Sequence, residues 1–448
     1  MKKKFVRCFA VMLCIGLLTS CGLPAPSALP ATSSGADLGG ALEGEITFWH
    51  SFVNGPRLES IQNSAEEFMR ENPGVKINIE TFSWGDFYTK WTTSMASGNL
   101  PDMSTALPAH VAEMIDADAI IPLNDLIDQV GRDRFYEAPL REMTVGSDTY
   151  AVPLYSHAQV MWIRKDLLEH NALAVPETWD ELYEAAKALT GNGVYGCCVP
   201  MGIGDRMATR FLNFYVRSGG GTLLTEDKKA DLTSNLALDG IRYWVKMYED
   251  CSPADSINYK CHDKELMYYQ GKTAFDFESG FQIEGIQENS PDLADFIDCM
   301  PMPKIHKGDP VYGIETSNIP MVVWKNSQHP EICKAFIRFL YQEDRYIEFL
   351  SATPAGMLPA LKDIAENEAY LSNPIVQKYS HAVQVISDAV AVGTEIGFEN
   401  GPCPQASILT SQGVIEAMFQ DIVSNHTDVE TAARAAEKKL NELFETVK

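Results

Sequence analysis

At 448 residues, 45% hydrophobic and 10% aromatic, the chain is long enough for two or three domains with substantial cores. Its formal charge of -25 makes a polyanion that repels nucleic acid and anionic lipid head groups, which argues against both as partners. Only one apolar run stands out, and it comes first. Met1-Lys2-Lys3-Lys4 and Arg7 give a positive start, and Phe5 to Leu18 is nearly all apolar. That run has the size of a signal-peptide core and is short for a permanent membrane span.

Leu18-Thr19-Ser20-Cys21 follows it. Small residues leading into a cysteine resemble the lipobox of bacterial lipoproteins. The resemblance implies a signal peptide over residues 1–20 and a lipidated Cys21 that begins the mature chain and holds it to a cell membrane. The alternative is an ordinary signal peptide with a chance cysteine. Residues 21–42, rich in Pro, Ala, Ser and Gly, read as a flexible tether.

Folding begins at Glu45-Ile46-Thr47-Phe48-Trp49-His50, a β-type run. A helix pattern follows, with Leu58, Ile61, Ala65 and Phe68 on one face, halted by Asn72-Pro73-Gly74. Val75, Ile77 and Ile79 alternate as a second strand, and strand–helix–strand in this order predicts a parallel βαβ unit. Parallel sheets bind ligands at the carboxyl ends of their strands, here His50-Ser51 and Phe82-Ser83-Trp84. A further helix carries Phe87 to Ser97, and Gly98 to Asp102 turns into another short strand. Farther on, Thr178-Trp179-Asp180-Glu181 and Thr427-Asp428-Val429-Glu430 predict capped helix starts, and Pro330 opens another helix. Gly219-Gly220-Gly221 lacks the Lys-Ser or Lys-Thr of a phosphate cradle and is read as a loop.

Ile46 to His50, Asn72-Pro73-Gly74 and Gly98-Asn99-Leu100-Pro101-Asp102 resemble the extracellular solute-binding proteins of family 1, receptors of ATP-driven sugar importers. The likeness continues through Tyr150 to Pro153, Trp162 to Leu168, Val175 to Leu182, Gly271 to Phe275, Ala335 to Leu340 and Gly356-Met357-Leu358-Pro359. It implies an α/β, type II periplasmic-binding-protein-like fold: two α/β lobes joined by a three-crossing hinge, with the ligand cleft between them. The crossings fall near 152–159, 313–317 and 353–359. One lobe is then 43–154 plus 316–354, the other 157–313 plus 358–448. The implied function is capture of a neutral mono- or oligosaccharide by hinge closure, and its delivery to membrane permease subunits of an ABC importer. No catalytic residue, metal or cofactor is expected, and the chain is expected to be a monomer.

A sugar cleft needs flat aromatic faces for C–H surfaces and acids, amides or imidazoles for hydroxyls. Strand ends and crossings nominate His50, Trp84, Phe87, Asp102, Tyr155, Ser156, His157, Glu278, Ser279, Phe281, Glu315 and Met357. Asp102 serves equally well as a turn cap. Trp49, Trp91, Trp162, Trp179 and Trp244 lie inside periodic elements and are assigned to the core. Relatives that bind glycerophosphate esters use a late arginine, and Gly401 to Ser407 has none, which favours an uncharged sugar. Other solutes remain as alternatives: a glycerophosphate ester, a polyamine, a peptide, or an iron chelate held near Tyr268-Tyr269, a pair read as half core and half surface. A secreted glycoside hydrolase using Glu278 and Glu315 is the enzymatic alternative. Seven cysteines follow Cys21, an odd number. Cys251 and Cys261 are placed to form a local disulfide, and the rest read as buried small apolar residues without zinc-ligand spacing.

Overall fold

The structure, a computed structural model, describes residues 41–446 apart from residue 54, with the side chains of residues 84, 85 and 88 left out. Residues 1–40, including the apolar leader and Cys21, therefore lie outside the described residues, as does most of the tether. The eleven described strands are β1 (Gly44–His50), β2 (Val75–Thr81), β3 (Met103–Thr105), β4 (Thr144–Val145), β5 (Asp148–Thr149), β6 (Val152–Ala158), β7 (Val160–Arg164), β8 (Phe275–Glu278), β9 (Ile297–Met300), β10 (Thr316–Val323) and β11 (Leu358–Pro359).

Six of these form one sheet in the order β11-β6-β10-β3-β1-β2, and β8-β7-β9 form a second sheet. β1 pairs in parallel with both β2 and β3, and the Gly55–Glu71 helix joins β1 to β2, as the βαβ pattern predicts. That helix buries Ile61, Ala65 and Phe68, the face drawn from the 3.6-residue spacing. Period-two alternation gives each sheet two covered faces. Ile46, Phe48, Met321 and Val323 enter one first-sheet core, whereas Trp49, Val322 and Trp324 enter the opposite one. In the second sheet Met161, Ile163, Phe275 and Phe277 face one core, and Val160, Trp162 and Cys299 face the other. The five tryptophans assigned to the core are all buried.

The chain moves between the sheets at neighbouring strands. Gln159 alone separates β6 of the first sheet from β7 of the second. Its N–H donates to Glu315 O at 3.0 Å, so the return just before β10 runs beside the first passage. β11 pairs with β6 through Leu358 and Ser156, which puts the third passage alongside both. Gly280 marks how tightly that third passage is held: a Cβ there would sit 1.9 Å from Ala355 O. Any larger residue at 280 pushes directly on the backbone of the crossing.

Several expectations change. The helix after β2 starts at Trp84, three residues before the predicted Phe87. Thr178 caps its helix by accepting from Glu181 N at 3.3 Å. The Glu181 carboxylate reaches back to Glu177 N rather than to the cap itself. In the last helix (Val429–Phe444) the cap is Asp428, which accepts from Thr431 N at 3.0 Å, one residue later than predicted. Tyr268 and Tyr269 are both buried, Tyr269 beneath Gly285, so no surface tyrosine pair exists for an iron chelate. All seven described cysteines are free, and the Cys251–Cys261 disulfide is absent. Leu361, Ile364, Tyr370 and Val376 pack into a first-sheet core, whereas Leu358 and the Ser380–Val392 helix pack into a second-sheet core. No helix among the described residues is long and apolar enough to cross a membrane.

Candidate functional site

His50 closes β1 with its ring wholly buried. Its Nδ1 accepts from Phe52 N–H at 3.0 Å, and burial, helped by Arg57, pushes the imidazole down to about 3. A neutral ring whose Nδ1 accepts carries its proton on Nε2, and that donor has no partner among the described residues. Next to it stands an aromatic wall. Phe52 lies 4.4 Å from the His50 ring and 6.0 Å from Tyr155, and Tyr155 lies 6.3 Å from His157. Phe281, at the head of the Phe281–Asn289 helix, meets His157 edge-on at 5.6 Å. The Arg57 guanidinium spans the group, 4.9 Å from the Phe52 centroid and 5.2 Å from that of Phe281. The first sheet thus supplies His50, Phe52, Arg57 and Tyr155, and the second sheet's following helix supplies Phe281.

Beside this wall runs a buried polar chain. Ser156 Oγ donates to Asn318 Oδ1 at 2.6 Å, and Asn318 Nδ2 donates to Glu142 Oε2 at 2.7 Å. Glu142 Oε1 accepts from Glu395 N at 3.1 Å, and Ser317 Oγ donates to Glu395 Oε2 at 3.0 Å. Two arginines one helical turn apart on the Met207–Ser218 helix and its N-cap close the chain. Arg206 Nη1 bonds Glu395 at 2.5 Å and Nη2 bonds Glu315 at 3.3 Å. Arg210 forks onto Glu315, with Nε at 2.9 Å and Nη2 at 2.8 Å. Such charges are stable away from water only because each is paired and hydrogen-bonded. Burial, reinforced by Glu395, pushes the Glu142 carboxyl up to about 8 despite the Asn318 bond.

Glu278 ends β8 and accepts from Ser279 N at 2.8 Å and Ser279 Oγ at 3.1 Å. Burial alone would raise its carboxyl, but Lys264, Arg210 and the Ser279 N–H hold it down at about 2. His157 is pushed down to about 4, chiefly by burial, and its Nδ1 has no partner among the described residues.

Of the residues nominated by the sequence, His50, Tyr155, Ser156, His157, Glu278, Ser279, Phe281 and Glu315 converge on this region. Three others do not. Phe87 lies in the opposite first-sheet core, 4.1 Å from Trp91, because it falls on the inward face of its helix. Asp102 sits at the amino end of β3, away from His50, and accepts from Thr47 N at 2.8 Å and Ser327 Oγ at 2.6 Å. Its carboxylate ties β1 to the segment after β10, and neither bond lies within the 98–102 turn. Met357 is packed in the first-sheet core with Phe349 and Leu361. Trp84 begins its helix, and its side chain lies outside the described ones.

The sequence reading missed Phe52, Arg57, Glu142, Arg206, Arg210, Asn318 and Glu395. Arg206 and Arg210, spaced by four, were the one local hint of a charged face. Their partners at 315 and 395 lie too far along the chain for any pattern to join them.

Two α/β lobes, a three-strand hinge and a polar, aromatic-walled meeting place define a type II periplasmic binding protein. A sequence model described as "Bacterial extracellular solute-binding protein" matches residues 54–345, and the chain belongs to that family. Among its relatives, Escherichia coli YcjN, a putative ABC transporter periplasmic-binding protein, is 24% identical over 411 residues, covering 89% of this chain and 93% of YcjN. Bacillus subtilis MelE, a melibiose/raffinose/stachyose-binding protein, is 20% identical over 372 residues, covering 78% and 84% of the two chains. Among solved structures, a Thermotoga lettingae ABC transporter solute-binding protein bound with α-D-tagatose superposes with a TM-score of 0.75 at 20% identity, covering 89% of this chain and 99% of that one. Maltose-bound T. maritima MalE3 superposes with a TM-score of 0.76 at 20% identity, with 89% and 99% covered.

Proposed function

We propose that this chain is the extracytoplasmic receptor of an ABC importer: it captures a neutral mono- or oligosaccharide by hinge closure and hands it, chemically unaltered, to the permease. Anchorage through a lipid on Cys21 belongs to the same proposal, as does a working monomer. In this reading the lobes divide at Gln159 and Glu315, and the last boundary moves from 358 to the Val376–Tyr379 segment. Ligand stabilises the closed form by touching both lobes at once.

The observation that carries the reading is the charge balance around the second crossing. Arg206 and Arg210 are both committed to Glu315 and Glu395, so neither is a spare fork for a phosphate ester. Turned toward this region are groups suited to hydroxyls and C–H faces: the buried His50 Nε2–H donor, the His157 ring, the buried Phe52 and Tyr155 rings and the half-buried Phe281 face, with the Arg57 guanidinium lying over Phe52 and Phe281. Relatives named for melibiose, raffinose and stachyose, and folds solved with tagatose and maltose, support the sugar class. A glycosidase would need one carboxyl held protonated at working pH. Glu278, held at about 2, is unsuited to that role, and Glu142, the carboxyl that is raised, has both oxygens taken by Asn318 and Glu395 N–H.

A thermal-shift panel on the chain from Gly22 onward tests the reading. A bound saccharide at a hundredfold over its dissociation constant stabilises by about 2.7 kcal/mol. Stabilisation by an amino acid, polyamine or phosphate ester, with none from any neutral saccharide, rejects it. In the same assay Phe281→Ala is expected to weaken binding at least about tenfold, near 1.4 kcal/mol, while the ligand-free melt stays cooperative. A melt that collapses with affinity unchanged would return Phe281 to the core.

A further inference from the structure

We propose that Cys261, Glu265 and Glu278 form a binding site for one thiophilic divalent cation of the zinc class, with the Gln159 carboxamide oxygen as a fourth ligand. The site shares Glu278 with the candidate sugar cleft, but its test reads metal binding and not saccharide.

The local structure places the donors. Cys261 and Glu265 are one turn apart on the Cys261–Tyr269 helix and share a face, and Glu278 is the last residue of β8. Cys261 Sγ lies 3.1 Å from Glu265 Oε1 and 3.8 Å from Glu278 Oε2. One ligand atom from each of the three lies within 4.8 Å of the others. In a tetrahedral zinc site, bonds of about 2.3 Å to sulfur and about 2.0–2.2 Å to oxygen hold ligand sulfur and oxygen about 3.5 Å apart. The two observed separations straddle that edge length.

A second observation points the same way. Gln159 is 2% exposed, and its Nε2 lies 3.5 Å from Glu278 Oε1. Its Oε1 has no partner among the described residues, a costly state for a buried amide oxygen. Nε2 is the atom that faces Glu278 here; a half-turn of the carboxamide brings Oε1 to that side, where a cation held on Glu278 gives the oxygen a partner. The charges agree. Lys264 Nζ reaches Glu278 Oε2 at 3.5 Å, but its close bonds are to Asp276 at 2.8 Å and to Phe277 O at 2.9 Å. Lys264 is thus shared between Asp276 and Glu278, while Glu265 and Glu278 both turn toward the thiol. One thiolate with carboxylate and amide oxygens suits zinc better than the all-oxygen cations calcium and magnesium. On binding, the Cys261 S–H bond breaks and its proton passes to buffer. The sulfur lone pair and the carboxylate lone pairs form the metal bonds, and no electron is transferred.

The test titrates the chelator-treated chain from Gly22 onward with Cd²⁺ and follows the ultraviolet thiolate-to-cadmium absorption, with Zn²⁺ as competitor. The expected result is a band that grows to one equivalent and stops, that Zn²⁺ removes, and that Cys261→Ser abolishes. Glu265→Gln should weaken binding at least tenfold, and Cys333→Ser should leave the titration unchanged. No band at one equivalent overturns the site, as does a band that survives Cys261→Ser. Should Cys261→Ser fail to melt like the parent without metal, Glu265→Gln decides: unchanged cadmium affinity overturns the proposal.

Discussion

Replacing Arg210 by Ala should destabilise the protein by about 3–5 kcal/mol, the cost of stranding a buried carboxylate. Arg210 and Glu315 are both nearly sealed from water, and the guanidinium places two N–H groups on the carboxylate. Arg206 alone would remain on Glu315, at 3.3 Å and already shared with Glu395. The double change Arg210→Met with Glu315→Gln removes the charge with its partner and should cost much less than Arg210→Ala alone. Chemical unfolding of the three proteins checks this. Equal losses for the single and double variants would mean that the pair matters by its packing rather than by its charge.

The second large effect concerns pH. The Glu142 carboxyl sits at about 8 in the fold, raised first by burial and then by Glu395. A carboxyl raised on folding contributes stability that is complete below its unfolded value. That contribution is lost as pH climbs to the folded value. The window is therefore from about 4.5 to about 8, and the loss across it is on the order of 5 kcal/mol. Glu142→Gln mimics the protonated acid, so it should match the parent at the acid end and exceed it in stability above pH 8. The gap should open through that window. Glu416, raised to about 7 by its own burial, keeps a smaller slope of the same sign in both proteins. A Glu142→Gln difference that does not vary with pH would show that this carboxyl titrates normally in the fold.

The parts of this molecule that sequence alone could reveal are those built from near neighbours. β1, the helix after it and β2 were legible because alternation and 3.6-residue spacing are local signals, and Thr178 and Pro330 mark helix starts by short-range chemistry. The strand ends nominated His50, and the crossings nominated Tyr155, Ser156 and His157. The partners of those residues were hidden, because Arg210 meets Glu315 over 105 positions and Asn318 meets Glu142 over 176. Asp102 and Phe87 show the opposite error. Each lies beside a strand end in sequence, yet one binds β1 and Ser327 from the amino end of β3 and the other turns into the core. A strand end says where a ligand site can be, but not which neighbouring side chain faces it. The thiol at 261 was read toward Cys251, whereas the fold turns it toward two carboxylates.

The central claim is that the cleft holds an uncharged sugar and leaves every bond in it intact. Calorimetric titration with the best saccharide of the panel, followed by recovery of the ligand from the complex, tests this in one sample. One molecule bound per chain and the same molecule recovered is the predicted result. A cleaved glycoside, or heat only from a charged solute, would contradict it.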